Sequence, residues 1–143
     1  MFRAPREGGG AVLEYGPEAL KLWRAYHRSV RVCVEEGLGV VVDDAIITRE
    51  LLEDWVATLA GVDVFFVGVH CAAEELILRE LARRDRDLGS AVANVERVHA
   101  HAIYDLEIDS TVTPSSALAE QIISALDLRS RPSAFERLRT ALT

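Results

Sequence analysis

Apolar positions along this chain switch between two periods. From Pro17 onward Leu20, Trp23, His27, Val30 and Val34 recur every three or four residues, the spacing of one helical face. Pro17 suits the first position of that helix, where a missing N–H costs nothing, and Gly37 and Gly39 end it. Val40-Val41-Val42 follows, a wholly apolar β-branched run that suits a strand buried on both faces, and it ends in Asp43-Asp44. The helical period then returns with Thr48 as N-cap, a stripe of Leu51, Leu52, Trp55, Val56 and Leu59, and Gly61 at the C-terminal end. A second apolar strand is predicted over Val64–Val69, and a helix over residues 73–84 with Leu76, Ile77 and Leu81 inward. Another helix is predicted over 90–100, with Val92, Val95 and Val98 or His99 inward. Tyr104 to Asp109 alternates, Leu106 and Ile108 against Asp105, Glu107 and Asp109, which predicts a half-exposed strand at a sheet edge. Thr113-Pro114 opens a helix carrying Leu118, Ile122 and Leu126, and Ser133-x-x-Glu136 reads as the capping box of a last short helix.

Helices and strands in alternation predict an α/β fold with parallel strands joined by right-handed crossovers. Ligands in such sheets bind beyond the carboxyl ends of the strands. Asp43-Asp44, His70-Cys71 and Asp109-Ser110-Thr111 all stand at predicted strand ends. Residues 1–15 are expected to form a disordered N-terminal segment, since Gly8, Gly9 and Gly10 are costly to order. No internal repeat is visible.

Length and charge narrow the function classes. At 143 residues there is room for one domain. With 16 basic and 23 acidic side chains the formal charge is −7, which argues against nucleic acid as a partner, although a local arginine cluster can still bind a nucleotide. No apolar run approaches the roughly 20 residues that cross a bilayer, and the first ten residues lack the apolar core of a secretory signal. A cytoplasmic location is therefore expected. Cys33 and Cys71 are far apart and lack metal-ligand spacing, so they are expected as buried free thiols.

Two groups of residues offer chemistry. Asp43 and Asp44 end a predicted strand, where two adjacent carboxylates are costly to desolvate together. Such a pair either contacts magnesium or substrate, in the manner of a Walker B acid, or caps the following turn. Arg79, Arg83, Arg84 and Arg86 fall within eight residues, with Arg79 and Arg83 on one helical face. Guanidinium groups fork onto phosphate oxygens, so the cluster either closes over a nucleotide or forms a solvated face paired with Glu75, Glu80, Asp85 and Asp87. His99 lies on the inward stripe and is read as a hydrogen-bonded core or boundary histidine in preference to a catalytic one. Trp23 and Trp55 are assigned to the core, while Tyr15, Trp23 and Tyr26 either pack there or line an aromatic acceptor pocket.

In this order, the pieces resemble the chloramphenicol phosphotransferase family, P-loop kinases of the shikimate-kinase type. The matching text is Gly16-Pro17-Glu18, Val40–Asp44, Asp63–Cys71, the stretch from Arg79 to Gly89, Val98-His99 and Tyr104–Asp109. Together they cover roughly residues 8–126. The pattern departs from the family at Arg84, where the family favours glycine. The resemblance implies a three-layer P-loop kinase-like sheet and an enzyme that moves the γ-phosphate of ATP onto a hydroxyl of chloramphenicol or a related small molecule. ATP and Mg2+ would be its cofactors. By this resemblance Arg83 and Arg86, with Arg79 beside them, are the lid arginines that clamp phosphate. Asp43 and Asp44 lie near magnesium or substrate, and Asp109, Ser110 and Thr111 lie near the nucleotide base.

The family opens with a strand, a GxxxxGK[ST] loop and a second strand ending in the general base. The sole lysine here, Lys21, stands in a helix, and no Gly-Lys pair occurs, so no catalytic base is assigned. The expectation is an N-terminally truncated sheet. Residues 16–127 would form a partial kinase-like domain and 128–143 a C-terminal helical tail. Open sheet edges would favour self-association. The alternative function is an inactive kinase remnant, or a non-catalytic nucleotide-binding or interaction module.

Overall fold

The helix spacing holds in the computed structural model, which describes residues 2–5, 11–14, 16–83, 89–100 and 103–142. Helix α1 (Pro17–Glu35) begins with Pro17 at its first position. Gly37 follows it at φ 83, a left-handed conformation that favours glycine. Helix α2 (Arg49–Thr58) is capped as predicted, with Leu51 N donating to Thr48 Oγ1 at 3.3 Å. Strand β3 (Val67–His70), helix α3 (Ala73–Arg83), helix α4 (Ser90–His99) and strand β4 (Leu106–Asp109) follow. Helix α5 (Ser115–Leu128) and helix α6 (Ala134–Leu142) complete the chain. The capping box of α6 is reciprocal: Ser133 N donates to Glu136 Oε2 at 2.6 Å, and Glu136 N to Ser133 Oγ at 3.3 Å.

Strands β3 and β4 pair in parallel, with Val67 opposite Leu106 and His70 opposite Asp109. The result is a mixed α/β fold with a small parallel sheet. Gly68 is needed there, because a Cβ at that position would stand 2.7 Å from two carbons of the Tyr104 ring.

Five sequence expectations need correction. Strands β1 (Phe2–Pro5) and β2 (Ala11–Glu14) pair antiparallel, where no element was expected in residues 1–15. Backbone pairing between segments close in sequence overrides the poor propensity of this stretch. Residues 40–42 are not a strand, and Val41 is 99% exposed. An apolar β-branched run becomes a strand only beside another strand, and among the described residues β3 pairs with β4 alone. On α3, Ile77 and Leu81 are exposed, and the buried position is Glu80. Leu126 of α5 is likewise exposed, though Leu118 is buried as expected. Cys33 and Cys71 are free and half-buried rather than buried.

The core lies where α1, α2 and α6 meet. Val30, Leu52, Trp55, Val56, Leu59, Phe135 and Leu138 form it, with Val42, Ile46, Val62, Val64 and Phe66 packed around them. Helix α6, expected as a tail, therefore supplies core residues. Three polar links fasten it to the sheet. Asp105 accepts from Phe66 N at 2.8 Å and from Ala134 N at 2.6 Å, tying the approach to β3 to the start of α6. Asp63 accepts from both Arg129 and Arg131, which gives the arginines after α5 a structural role. Arg137 donates to Tyr104 O at 2.9 Å. Among the described residues no helix is long and apolar enough to cross a membrane.

Candidate active site

Parallel pairing brings the ends of β3 and β4 together, so the loops that follow them meet. Ser110 N and Ser110 Oγ both donate to His70 O, at 2.8 and 3.0 Å. Ala72 N donates to Thr111 Oγ1 at 2.9 Å, and Thr111 N donates to Asp109 Oδ1 at 2.7 Å. The Thr111 hydroxyl first, and then its backbone N–H, hold the Asp109 carboxyl below its usual range. Arg79 lies across this junction. Its Nη2 donates to Ser110 O at 2.5 Å, its Nη1 to Ser110 Oγ at 3.3 Å, and its Nε to Glu75 Oε1 at 2.8 Å. Two predicted site groups, the lid arginine and the loop after the last strand, are thus bonded to each other. Arg83 stands one turn further along the same helix and is exposed. Arg86, with Arg84, lies outside the described residues.

Helix α4 is anchored by Glu80, which one of the two sequence readings places on a solvated face. The Glu80 carboxylate is 5% exposed and accepts from Gly89 N at 2.7 Å and Ala91 N at 2.6 Å. It satisfies orphan donors at the start of α4 and places a negative charge at the positive end of the helix. One side chain of α3 thus fastens the start of α4.

The acidic pair divides. Asp43 is exposed, whereas the Asp44 side chain turns inward and is 8% exposed. Asp44 Oδ2 accepts from Trp55 Nε1 at 2.7 Å. Burial pushes the Asp44 carboxyl up, opposed by the Trp55 N–H and by His27. Behind it, His27 of α1 is fully buried and stacked on Trp55, ring centroids 3.9 Å apart. Its Nδ1 is 2.5 Å from Asp54 Oδ2. An ionised carboxylate can only accept, which assigns the proton to Nδ1. The remaining nitrogen, Nε2, has no hydrogen-bond partner and lies 4.0 Å from Asp44 Oδ2. Such an unsatisfied buried group costs about 1–3 kcal/mol. Tyr26 and Trp23 pack edgewise nearby, and burial followed by the charges of Asp44 and Asp43 pushes the Tyr26 hydroxyl up.

A third cluster lies along the sheet. His70 Nε2 meets Glu107 Oε2 at 2.8 Å, and His99 Nδ1 meets the Tyr104 hydroxyl at 2.8 Å. His99 is the boundary histidine the sequence suggested. Burial of Tyr104, reinforced by Glu107, pushes its hydroxyl up to about 12.

Among the described residues, no three His, Cys, Asp or Glu side chains are grouped to hold a metal. Magnesium commonly needs only one or two carboxylates, the rest of its shell being water and phosphate, and Asp43 fits that role better than Asp44, which is spent on Trp55. His27, Asp54, Glu80 and Asp105 were missed in the sequence. Only His27 left a signal, as the one titratable residue in an otherwise apolar stripe.

Residues 5–127 match the profile of the chloramphenicol phosphotransferase-like protein family. The chain belongs to that family. Two curated relatives from Mycobacterium tuberculosis, strains CDC 1551 / Oshkosh and H37Rv, each carry the name "Putative O-phosphotransferase". Each is 40% identical to this chain over 113 residues, which is 79% of this chain and 50% of the relative. The chain thus spans about half the length of the curated relatives it matches. The matched residues include Arg79, the Ser110-Thr111 loop and the acidic turn, so the clusters described above lie within the part held in common with the family.

Proposed function

We propose that the chain is part of an ATP-dependent O-phosphotransferase that moves the γ-phosphoryl group of Mg·ATP onto a hydroxyl of a small molecule. The family relationship over residues 5–127 is the observation that carries this, and the gathering of Arg79, Ser110 and Thr111 at the strand ends supports it. In this proposal Arg83 and Arg86 clamp phosphate oxygens. Arg79 holds the loop of Asp109, Ser110 and Thr111 beside the base, and Asp43 contacts magnesium through water or directly. In this proposal strands β3 and β4 are part of the three-layer P-loop kinase-like sheet that the family relationship implies. The acceptor is a chloramphenicol-like antibiotic or a related metabolite.

A second candidate is a non-catalytic nucleotide-binding module. Lys21, the sole lysine, lies on α1 and pairs with Glu18 at 2.7 Å instead of following a glycine loop. Incubation with magnesium and γ-labelled ATP, with chloramphenicol as acceptor, separates the two. Labelled acceptor supports the phosphotransferase; nucleotide binding without transfer supports the module; neither outcome rejects both.

A further inference from the structure

The acidic turn depends on a buried histidine. His27 touches no solvent, yet one of its nitrogens is unpartnered and faces Asp44. Asp54 holds the opposite nitrogen at 2.5 Å and fixes which side of the ring carries the proton. The ring is held flat against Trp55, 27° from parallel, and the same Trp55 donates to Asp44. At 4.0 Å, His27 Nε2 and Asp44 Oδ2 are too far apart for a direct hydrogen bond. The gap matches one donor standing about 2.8 Å from each atom, at an apex angle of about 90°, as a bridging water would.

We infer that His27 is a positioning residue for the acidic turn: backed by Asp54 and linked through one bridging donor, it holds Asp44 inward and leaves Asp43 as the carboxylate offered to magnesium. The second half of this inference rests on the proposed function; the first does not. His27 and Asp54 come from α1 and α2, so the turn is registered against the helical core. Arg24 Nε, 3.7 Å from Asp54 Oδ1, anchors the outer end of the chain of contacts.

The test uses His27→Phe, which keeps a flat ring against Trp55 but removes both nitrogens, and His27→Gln, which restores a polar group. The Trp55 indole N–H resonance reports the bond to Asp44, and the Asp43 amide reports titration with Mg2+ alone. His27→Phe is expected to shift or split the Trp55 resonance and weaken the Asp43 response several-fold, with His27→Gln recovering part of both. An unchanged Trp55 resonance in His27→Phe overturns the inference. Should His27→Phe fail to fold, Asp54→Asn, which removes the charge that fixes the ring, must produce the same Trp55 shift, and no shift again overturns it. A wild-type Asp43 amide that ignores Mg2+ counts against the magnesium role in the proposed function, while the Trp55 resonance still decides the role of His27.

Discussion

The imidazoles of His70 and His99 are stacked, with centroids 4.0 Å apart and planes 24° from parallel. Glu107 pairs with His70, while His99 Nδ1 meets the Tyr104 hydroxyl. Burial first, and then the neighbouring His70, hold His99 below the usual histidine value. The unfolded chain therefore takes up a proton at His99 before the folded chain does. The contribution is intact above the ordinary value of about 6.5 and is lost as pH falls from there through the folded value. Urea midpoints should drop between pH 7.5 and pH 5.5, and His99→Gln should remove part of that drop. Equal pH dependence in the two proteins would count against the stack. The variant comparison matters because Asp44, pushed up, titrates with the opposite sign.

Gly68 leaves no room beside Tyr104. An alanine Cβ would meet three ring carbons at 2.7–2.9 Å, and a ring wedged between Phe66, His70 and His99 is poorly placed to yield. Gly68→Ala should cost about 1–3 kcal/mol, read as a lower urea midpoint at unchanged slope. A neutral result would mean that the ring moves freely.

Helix α6 is part of the core. Leu138 and Phe135 are buried against the α1–α2 pair, so Leu138→Ala should destabilise by about 2–5 kcal/mol. That is a large share of the roughly 5–15 kcal/mol that holds a typical domain together. A detachable tail would instead give a change within about 0.5 kcal/mol.

Arg79 is exposed, and its pair with Glu75 adds little stability, so Arg79→Ala should leave the urea midpoint close to the wild-type value. The same change frees the Ser110 loop and should weaken Mg·ATP binding about tenfold. Arg79→Lys should not restore binding, because an ammonium cannot fork onto Ser110 O and Oγ together. Full rescue by lysine would show that charge alone matters.

Much of this fold was legible in the sequence, for identifiable reasons. Every predicted helix is found, because period, caps and glycines agree: Thr48, Gly37 and the Ser133–Glu136 box each act locally. The strand at residues 40–42 failed because strand formation needs a neighbour, and nothing in Val40-Val41-Val42 says whether one is present. The α3 face was misjudged for a related reason, since an apolar stripe shows which side would be buried but not whether anything covers it. The site was half legible. Arg79 and Ser110 could be named from their positions, but their contact across 31 residues could not. Glu80 and Asp54 looked like ordinary surface carboxylates, because their partners are backbone amides and a buried ring supplied from elsewhere in the chain.

Nucleotide is expected to bind at the carboxyl ends of β3 and β4. The most direct test is a 1H–15N NMR titration of this chain with Mg·ATP. Saturable shifts concentrated at Arg79, Arg83, Ser110 and Thr111 are expected, abolished by Arg83→Ala. Absence of shifts at these residues, or shifts of equal size in Arg83→Ala, would contradict it.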